Sequence, residues 1–268
     1  MLRILQNILQ SISKFIKFLQ EKIMPIFNIS KVGSVNSGSD VISKVYAGSD
    51  LVYSAVQPNG YLFRDLDDTT GTLSAATGEL EDASEITEIP DHGLYYGFYE
   101  CTGLTGSVSF PNLTSVADYG MNYGFYGCTG LTGSVSFPSL TSIESNGMEY
   151  CFYRCTGLTG SVSFPNLTSV AFIGLSSCFK GCTGLTGSVS FPSLTSIESR
   201  SMMHCFMGCT GLTGSVSFPS LTSIGDYGMN NCFSNTSVTQ VHFKSSLSGN
   251  TQCTASNLGI TGNVYFDL

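Results

Sequence analysis

The chain has 268 residues, with 30 Gly, 10 Cys, no Trp and only 11% charged residues, less than half the usual share of charge. Hydrophobic residues at 42% suffice for a packed core, which excludes wholesale disorder. A net charge of −8 from 11 Lys+Arg and 19 Asp+Glu leaves too few cations to cluster on phosphates and argues against a nucleic-acid partner, and no run of eighteen apolar residues is present to span a bilayer.

Residues 1–24 place Leu5, Ile8, Leu9, Ile12, Phe15, Ile16, Leu19 and Ile23 at steps of three and four, which predicts an amphipathic helix. Arg3, Lys14, Lys17 and Lys22 against Glu21 make it basic. Three readings compete. A secretory signal wants an unbroken apolar stretch, and Gln6, Asn7, Gln10 and Ser11 interrupt this one. A membrane-surface helix would set the basic residues on anionic lipid. An attachment and oligomerisation helix would use the eight apolar side chains as heptad-like seams, and this reading, with a homotrimer favoured, is the expectation.

In residues 25–60, Gly38-Ser39-Asp40 recurs as Gly48-Ser49-Asp50, and the β-favouring runs Val41 to Tyr46 and Leu51 to Tyr53 flank the second copy as a hairpin. Gln57-Pro58-Asn59-Gly60 reads as a turn or linker. The wording ISKVYAGSDLVY resembles short modules near the start of structural proteins of tailed phages and prophages of gut bacteria. That resemblance implies a virion protein, assembled in the bacterial cytoplasm, whose N-terminal region contacts other virion proteins.

Residues 61–100 hold ten acids against Arg64, and Leu80, Ile86, Ile89 and Pro90 look like a degenerate first coil, an acidic N-terminal cap. From there a repeat dominates. The string CTGLTGSVSFP begins at Cys101, Cys128, Cys155, Cys182 and Cys209, five verbatim copies 27 residues apart, and residues 101–235 form the repeat block. Ser107-Val108-Ser109-Phe110 alternates polar and apolar as a half-buried strand does, with Val108 and Phe110 inward. Pro111 blocks further pairing, and Leu113 and Val116 return to the core. Met121, Gly124, Phe125 and Cys128 then fall at i, i+3, i+4 and i+7, one face of a short helix. Each unit is expected to be one strand plus a helical turn or two, and stacked units share a continuous core. In residues 236–268, a C-terminal cap, Gln240 to Phe243 and Asn263 to Phe266 read as two final strands.

The pattern F-x-x-C-x-x-L followed by V/I-x-F-P-x-L-T-x-V/I resembles the BspA-like leucine-rich repeats of bacterial, protist and phage surface proteins, over residues 80–266. The resemblance implies an α/β solenoid, a right-handed superhelix of 27-residue coils, and an adhesive, non-enzymatic role. The extra Gly of LTGSVSF, Gly106 and its equivalents, departs from the family pattern and reads as a bulge before the strand.

Catalytic and cofactor chemistry is not expected. His92, His204 and His242 lie in different units with no neighbouring nucleophile, no phosphate loop or zinc-protease motif occurs, and Asp67 and Asp68 sit in a solvated acidic cap. The i, i+4 pairs Cys151/Cys155, Cys178/Cys182 and Cys205/Cys209 stack unit upon unit near His204, yet the same slots take Gly97, Gly124 and Thr236. No metal ligand allows such replacements, so buried free thiols acting as small hydrophobes are expected rather than zinc or disulfides.

Binding is the better expectation. The variable positions of the repeat concentrate Tyr in the early units: Tyr96, Tyr123 and Tyr150 form one column, Tyr99, Tyr126 and Tyr153 a second, with Tyr119 beside them. Tyr combines contact area with a hydroxyl at low entropy cost, which predicts a surface for a host protein or glycan; a ladder that merely covers the turns beneath is the bland alternative. Thr105, Ser107 and Ser109, repeated in every copy, make a second hydroxyl array. The expected setting is a virion fibre or decoration protein; a cell-surface adhesin of a gut bacterium and a protein-interaction scaffold are the alternatives.

Overall fold

The computed structural model describes residues 86–268, residue 83, and the strands Ser34–Ser37, Ile42–Ala47, Asp50–Ser54 and Thr77–Glu79. The chain divides into two compact units, Met1–Tyr53 and Ser54–Leu268. In the first, the strands Ser34–Ser37, Ile42–Ala47 and Asp50–Ser54 form one sheet in that order, the first two antiparallel. The helix expected over 1–24, the turn at 57–60, Leu80 and most of the acidic cap lie outside the described residues.

The second unit is a parallel β-solenoid in which, from Glu88 to Ile224, each coil repeats its predecessor 27 residues on, the step shortening where Thr213–Phe218 pairs with Ser237–Phe243. One four-stranded sheet stacks Val108–Ser109, Val135–Ser136, Val162–Ser163 and Val189–Ser190 in exact 27-residue register. A second, six-stranded sheet runs from Glu88–Ile89 through Ser115–Val116, Ser142–Ile143, Ser169–Val170 and Ser196–Ile197 to Ser223–Ile224. Each coil thus carries two short strands where the sequence predicts one. The inward residues around the second, Leu113 and Val116, stand three apart and so show no period of two.

The expected helix is absent. Over residues 118–128 the amides alternate. Met121, Tyr123, Phe125 and Gly127 donate to carbonyls of the next coil, at Gly147, Glu149, Cys151 and Tyr153, while Asn122, Gly124, Tyr126 and Cys128 close i to i−3 turns. Every fourth residue is left-handed: Tyr119 at φ 55°, Tyr123 at 55° and Gly127 at 69°. A left-handed residue every four positions forbids the continuous right-handed backbone that i to i−4 bonding needs. The result is a ribbon of turns, half of whose amides run along the solenoid axis. Its spacing still buries one stripe, so Met121, Phe125 and Cys128 are fully buried as a helix would have buried them. Among the described residues the one α-helix is Ala255–Leu258, in the C-terminal cap, where the Thr254 hydroxyl accepts from the Asn257 amide.

Columns of identical side chains fill the interior. Phe125, Phe152, Phe179 and Phe206 stack at 5.1 to 5.3 Å, as do Phe137, Phe164 and Phe191 at 5.2 Å, and the two columns meet edge-to-face where Phe137 approaches Phe152 at 6.5 Å. Each such ring contributes about 1.5–3 kcal/mol by leaving water, and each coil draws that gain from its neighbours alone. At the far end Thr213–Phe218, Ser237–Phe243 and Asn263–Tyr265 pair in parallel to close the stack.

The glycine before the strand is a bulge at the two ends of the block: Gly106 and Gly214 both have φ 76°, the Gly106 carbonyl accepts from the Thr132 and Gly133 amides at 3.1 and 2.9 Å, and the register slips between Gly214 and Ser215. In the middle coils the reason for glycine is close approach: a Cβ on Gly133 would run into the Ser107 side chain, and one on Gly160 into Ser134.

Candidate interaction surface

The turn ribbon carries the tyrosines. Tyr96 stacks on Tyr123 at 4.7 Å and Tyr123 on Tyr150 at 4.9 Å, with interplanar angles of 9° and 18°. Beside them Tyr99, Tyr126 and Tyr153 stack at 4.7 and 4.8 Å. The columns touch laterally, Tyr123 lying 5.7 Å from Tyr126 and Tyr150 5.6 Å from Tyr153. All six are half-buried. The inter-coil amide bonds set this geometry: Tyr123 N–H donates to the Glu149 carbonyl at 3.0 Å, which holds successive rings at one coil spacing.

Tyr119 stands outside both columns. It is 38% exposed and stacks on His92 at 5.1 Å. Sequence reasoning overlooked Tyr95, which packs edge-on against Tyr96 at 4.6 Å and His92 at 5.4 Å; the doublet Tyr95-Tyr96 was the signal available.

The stacking decides what a ligand meets. A ring covered on both faces presents its edge and hydroxyl, so Tyr123 and Tyr126 offer donors rather than platforms for a sugar. Those hydroxyls stay protonated: burial and then the neighbouring rings Tyr96 and Tyr150 push the Tyr123 phenol well up, and burial followed by Tyr153 does the same for Tyr126. Beside the ladder the Glu149 carboxylate accepts from the side-chain amides of Asn122 at 3.1 Å and Asn146 at 2.8 Å, which fixes it in place.

The hydroxyl arrays elsewhere serve the stack itself. Thr141 Oγ1 donates to the Thr114 carbonyl at 2.9 Å, and Thr168, Thr195 and Thr222 repeat the bond. In the Thr105 column, Thr159 Oγ1 donates to the Thr132 carbonyl at 2.6 Å and Thr186 Oγ1 to the Thr159 carbonyl at 3.0 Å. In the column of Ser107, the Ser134 amide donates to the Ser107 hydroxyl at 3.1 Å.

All ten cysteines are buried with free thiols. One column donates backwards along the axis, Cys128 to the Phe98 carbonyl at 2.9 Å and Cys182 to that of Phe152 at 2.9 Å. Among the described residues no group of three or more His, Cys, Asp or Glu is placed to hold a metal ion. The histidines remain apart: His92 lies against Tyr119, while His242 contacts Asp267 at 2.9 Å and stacks on Tyr265 at 4.8 Å.

The family model described as BspA type leucine rich repeat region (6 copies) matches residues 94–203 and 176–258, together more than half of the chain. Comparison with curated proteins and with solved structures gives no match.

Proposed function

The chain belongs to the BspA-type leucine-rich repeat family, and on that premise we propose that it is a non-enzymatic adhesion scaffold of a tailed-phage virion, a fibre or surface-decoration protein. The solenoid presents the tyrosine ladder to a host surface protein or glycan, and residues 1–60 attach and oligomerise it. The observation that carries the adhesive part is the doubled ladder. Six tyrosines are spent on one strip of the turn ribbon, where the equivalent slots of later coils hold Ser177, Lys180, His204 and Met207 with no loss of the coil. Structure therefore does not require tyrosine there. The virion part rests on the wording ISKVYAGSDLVY.

Replacing Tyr123 and Tyr150 by Phe removes two hydroxyls and no packing surface, so the melting temperature is expected to hold while retention on host cells or immobilised mucin falls. Undiminished retention after Tyr→Ser at all six positions excludes the ladder. Mass spectrometry of purified virions tests the setting: a peptide beginning at Met1 on particles supports the fibre. Absence from particles together with cleavage near residue 24 assigns the chain to the bacterial cell surface instead.

A further inference from the structure

The second tyrosine column ends on a cation. Stepping by 27, its slot reads Tyr99, Tyr126, Tyr153, Lys180, and the slot beside it reads Glu100, Gly127, Arg154, Gly181. Tyr126 covers one face of Tyr153 at 4.8 Å, and the Arg154 guanidinium and Lys180 ammonium stand 5.3 and 6.0 Å from the Tyr153 ring centroid. The Arg154 amide donates to the Lys180 carbonyl at 2.8 Å, which ties the two cations into adjacent coils.

Residues 101–232 contain three cations in all, Arg154, Lys180 and Arg200, and two of them share this one ring. Among the described residues no carboxylate pairs with either. The Glu149 carboxylate of the same ribbon is held by Asn122 and Asn146 instead. Like charges on neighbouring coils repel, and a ring face offsets only part of that. Glycine on both sides of Arg154 leaves the adjacent slots without side chains: a Cβ on Gly181 would meet the Arg154 side chain at 3.3 Å. The guanidinium is exposed in that gap, with its fork of donors free for a planar or tetrahedral anion.

Resting on the adhesive reading above, we propose that Arg154, Lys180 and Tyr153 form the subsite for an acidic group, carboxylate or sulfate, on a glycan that lies along the tyrosine ladder. A sugar chain fits this strip better than an acidic peptide. Over residues 92–100, 119–128, 146–155 and 173–182 the ribbon's amides are all consumed by turns and inter-coil bonds, so this strip offers a peptide backbone no free donor edge. Phenol hydroxyls beside the cations match the hydroxyls of a saccharide.

The full-length chain and its Arg154→Asn/Lys180→Gln double variant are compared by biolayer interferometry. Asn suits the left-handed backbone at Arg154, whose φ is 56°. Immobilised probes are a sialylated, sulfated mucin, the same mucin after sialidase or after desulfation, uncharged dextran and polyglutamate. The expected result is at least tenfold tighter binding to the intact mucin than to one of its treated forms, which names carboxylate or sulfate. That preference disappears in the double variant while circular dichroism and melting are unchanged. Equal binding of intact and treated mucin by wild type overturns the acidic subsite and leaves the adhesive reading standing. Equal affinity for polyglutamate overturns the glycan assignment, and no binding to any glycan overturns the subsite together with the glycan form of the adhesive reading. A double variant that melts early is replaced by Lys180→Gln alone, for which a retained preference also overturns the subsite.

Discussion

The Cys155 thiol donates to the carbonyl of Phe125, thirty residues earlier, at 3.0 Å. Cys209 makes the same bond to Phe179, also at 3.0 Å, so the column is a set of weak donors threading one coil to the next. Burial pushes the thiols of Cys178, Cys182 and Cys205 well above the ordinary cysteine range, and that of Cys253 to about 11. The thiolate is the reactive form. Cys155 departs from this rise, its burial outweighed by hydrogen bonds with Cys128 and Cys182 that bring its thiol down to about 5. Protection of the whole set therefore rests on access: all ten thiols are buried, and iodoacetamide at pH 8 is expected to leave the native chain unlabelled and to modify all 10 cysteines once it is denatured. Intact-mass spectra during the reaction check this, and rapid native labelling at Cys155 or Cys182 refutes it.

Two glycines separate two kinds of constraint. A Cβ on Gly157 would strike the carbonyl oxygens of Thr129 and Leu131 in the preceding coil, whereas Gly214 has φ 76° and nothing within 4 Å of an added Cβ. Gly214→Ala is expected to cost about 1–2 kcal/mol, the left-handed penalty alone. Gly157→Ala forces neighbouring coils apart and is expected to cost more, about 3 kcal/mol or above. Urea denaturation of the two variants orders them, and the reverse order rules out close approach as the reason for the conserved spacing of CTG.

A third test targets strain. Ile173 is left-handed at φ 61°, and its amide bond to the Ser199 carbonyl, 3.4 Å, is longer than that of Tyr119 to Ser145 in the equivalent slot, 3.1 Å. A β-branched residue is badly suited to this backbone, and Asn146 shows what the slot accepts one coil earlier, at φ 57°. Ile173→Asn is expected to stabilise the chain by about 1 kcal/mol, raising the thermal midpoint by about 2–4 °C. The neighbouring Phe172→Asn, at a position 40% exposed, serves as the control that gains nothing. A lower midpoint for Ile173→Asn excludes backbone strain there.

The sequence carried the 27-residue period, the inward Val108 and Phe110, and the in-phase tyrosines, because each depends on composition at fixed intervals. It misled at Met121, Gly124, Phe125 and Cys128. A helix and a string of four-residue turns bury the same stripe, so hydrophobic spacing alone cannot separate them. The distinguishing signal lay in the slots between, where Gly127, Gly181 and Gly208 share a left-handed position and Asn146 and Asn231 occupy others. The strand Ser115–Val116 was invisible because its inward neighbours Leu113 and Val116 stand three apart rather than two. That Lys180 ends the column begun by Tyr99 is legible in the 27-residue step, whereas which ring faces are sealed depends on how closely the coils stack.

From His92 to Gly208 alternate amides of the turn ribbon reach the residue 26 positions later, so each of these coils asks the same of its neighbour. Excising residues 129–155 would join Cys128 to Thr156 and restore the wording CTGLTG without orphaning an amide. Recombination between the matching copies therefore adds or deletes whole rungs of about 4.8 Å. The reach of the surface, and the number of tyrosines on it, become quantities that a lineage adjusts by counting, while the chemistry of every remaining rung is preserved.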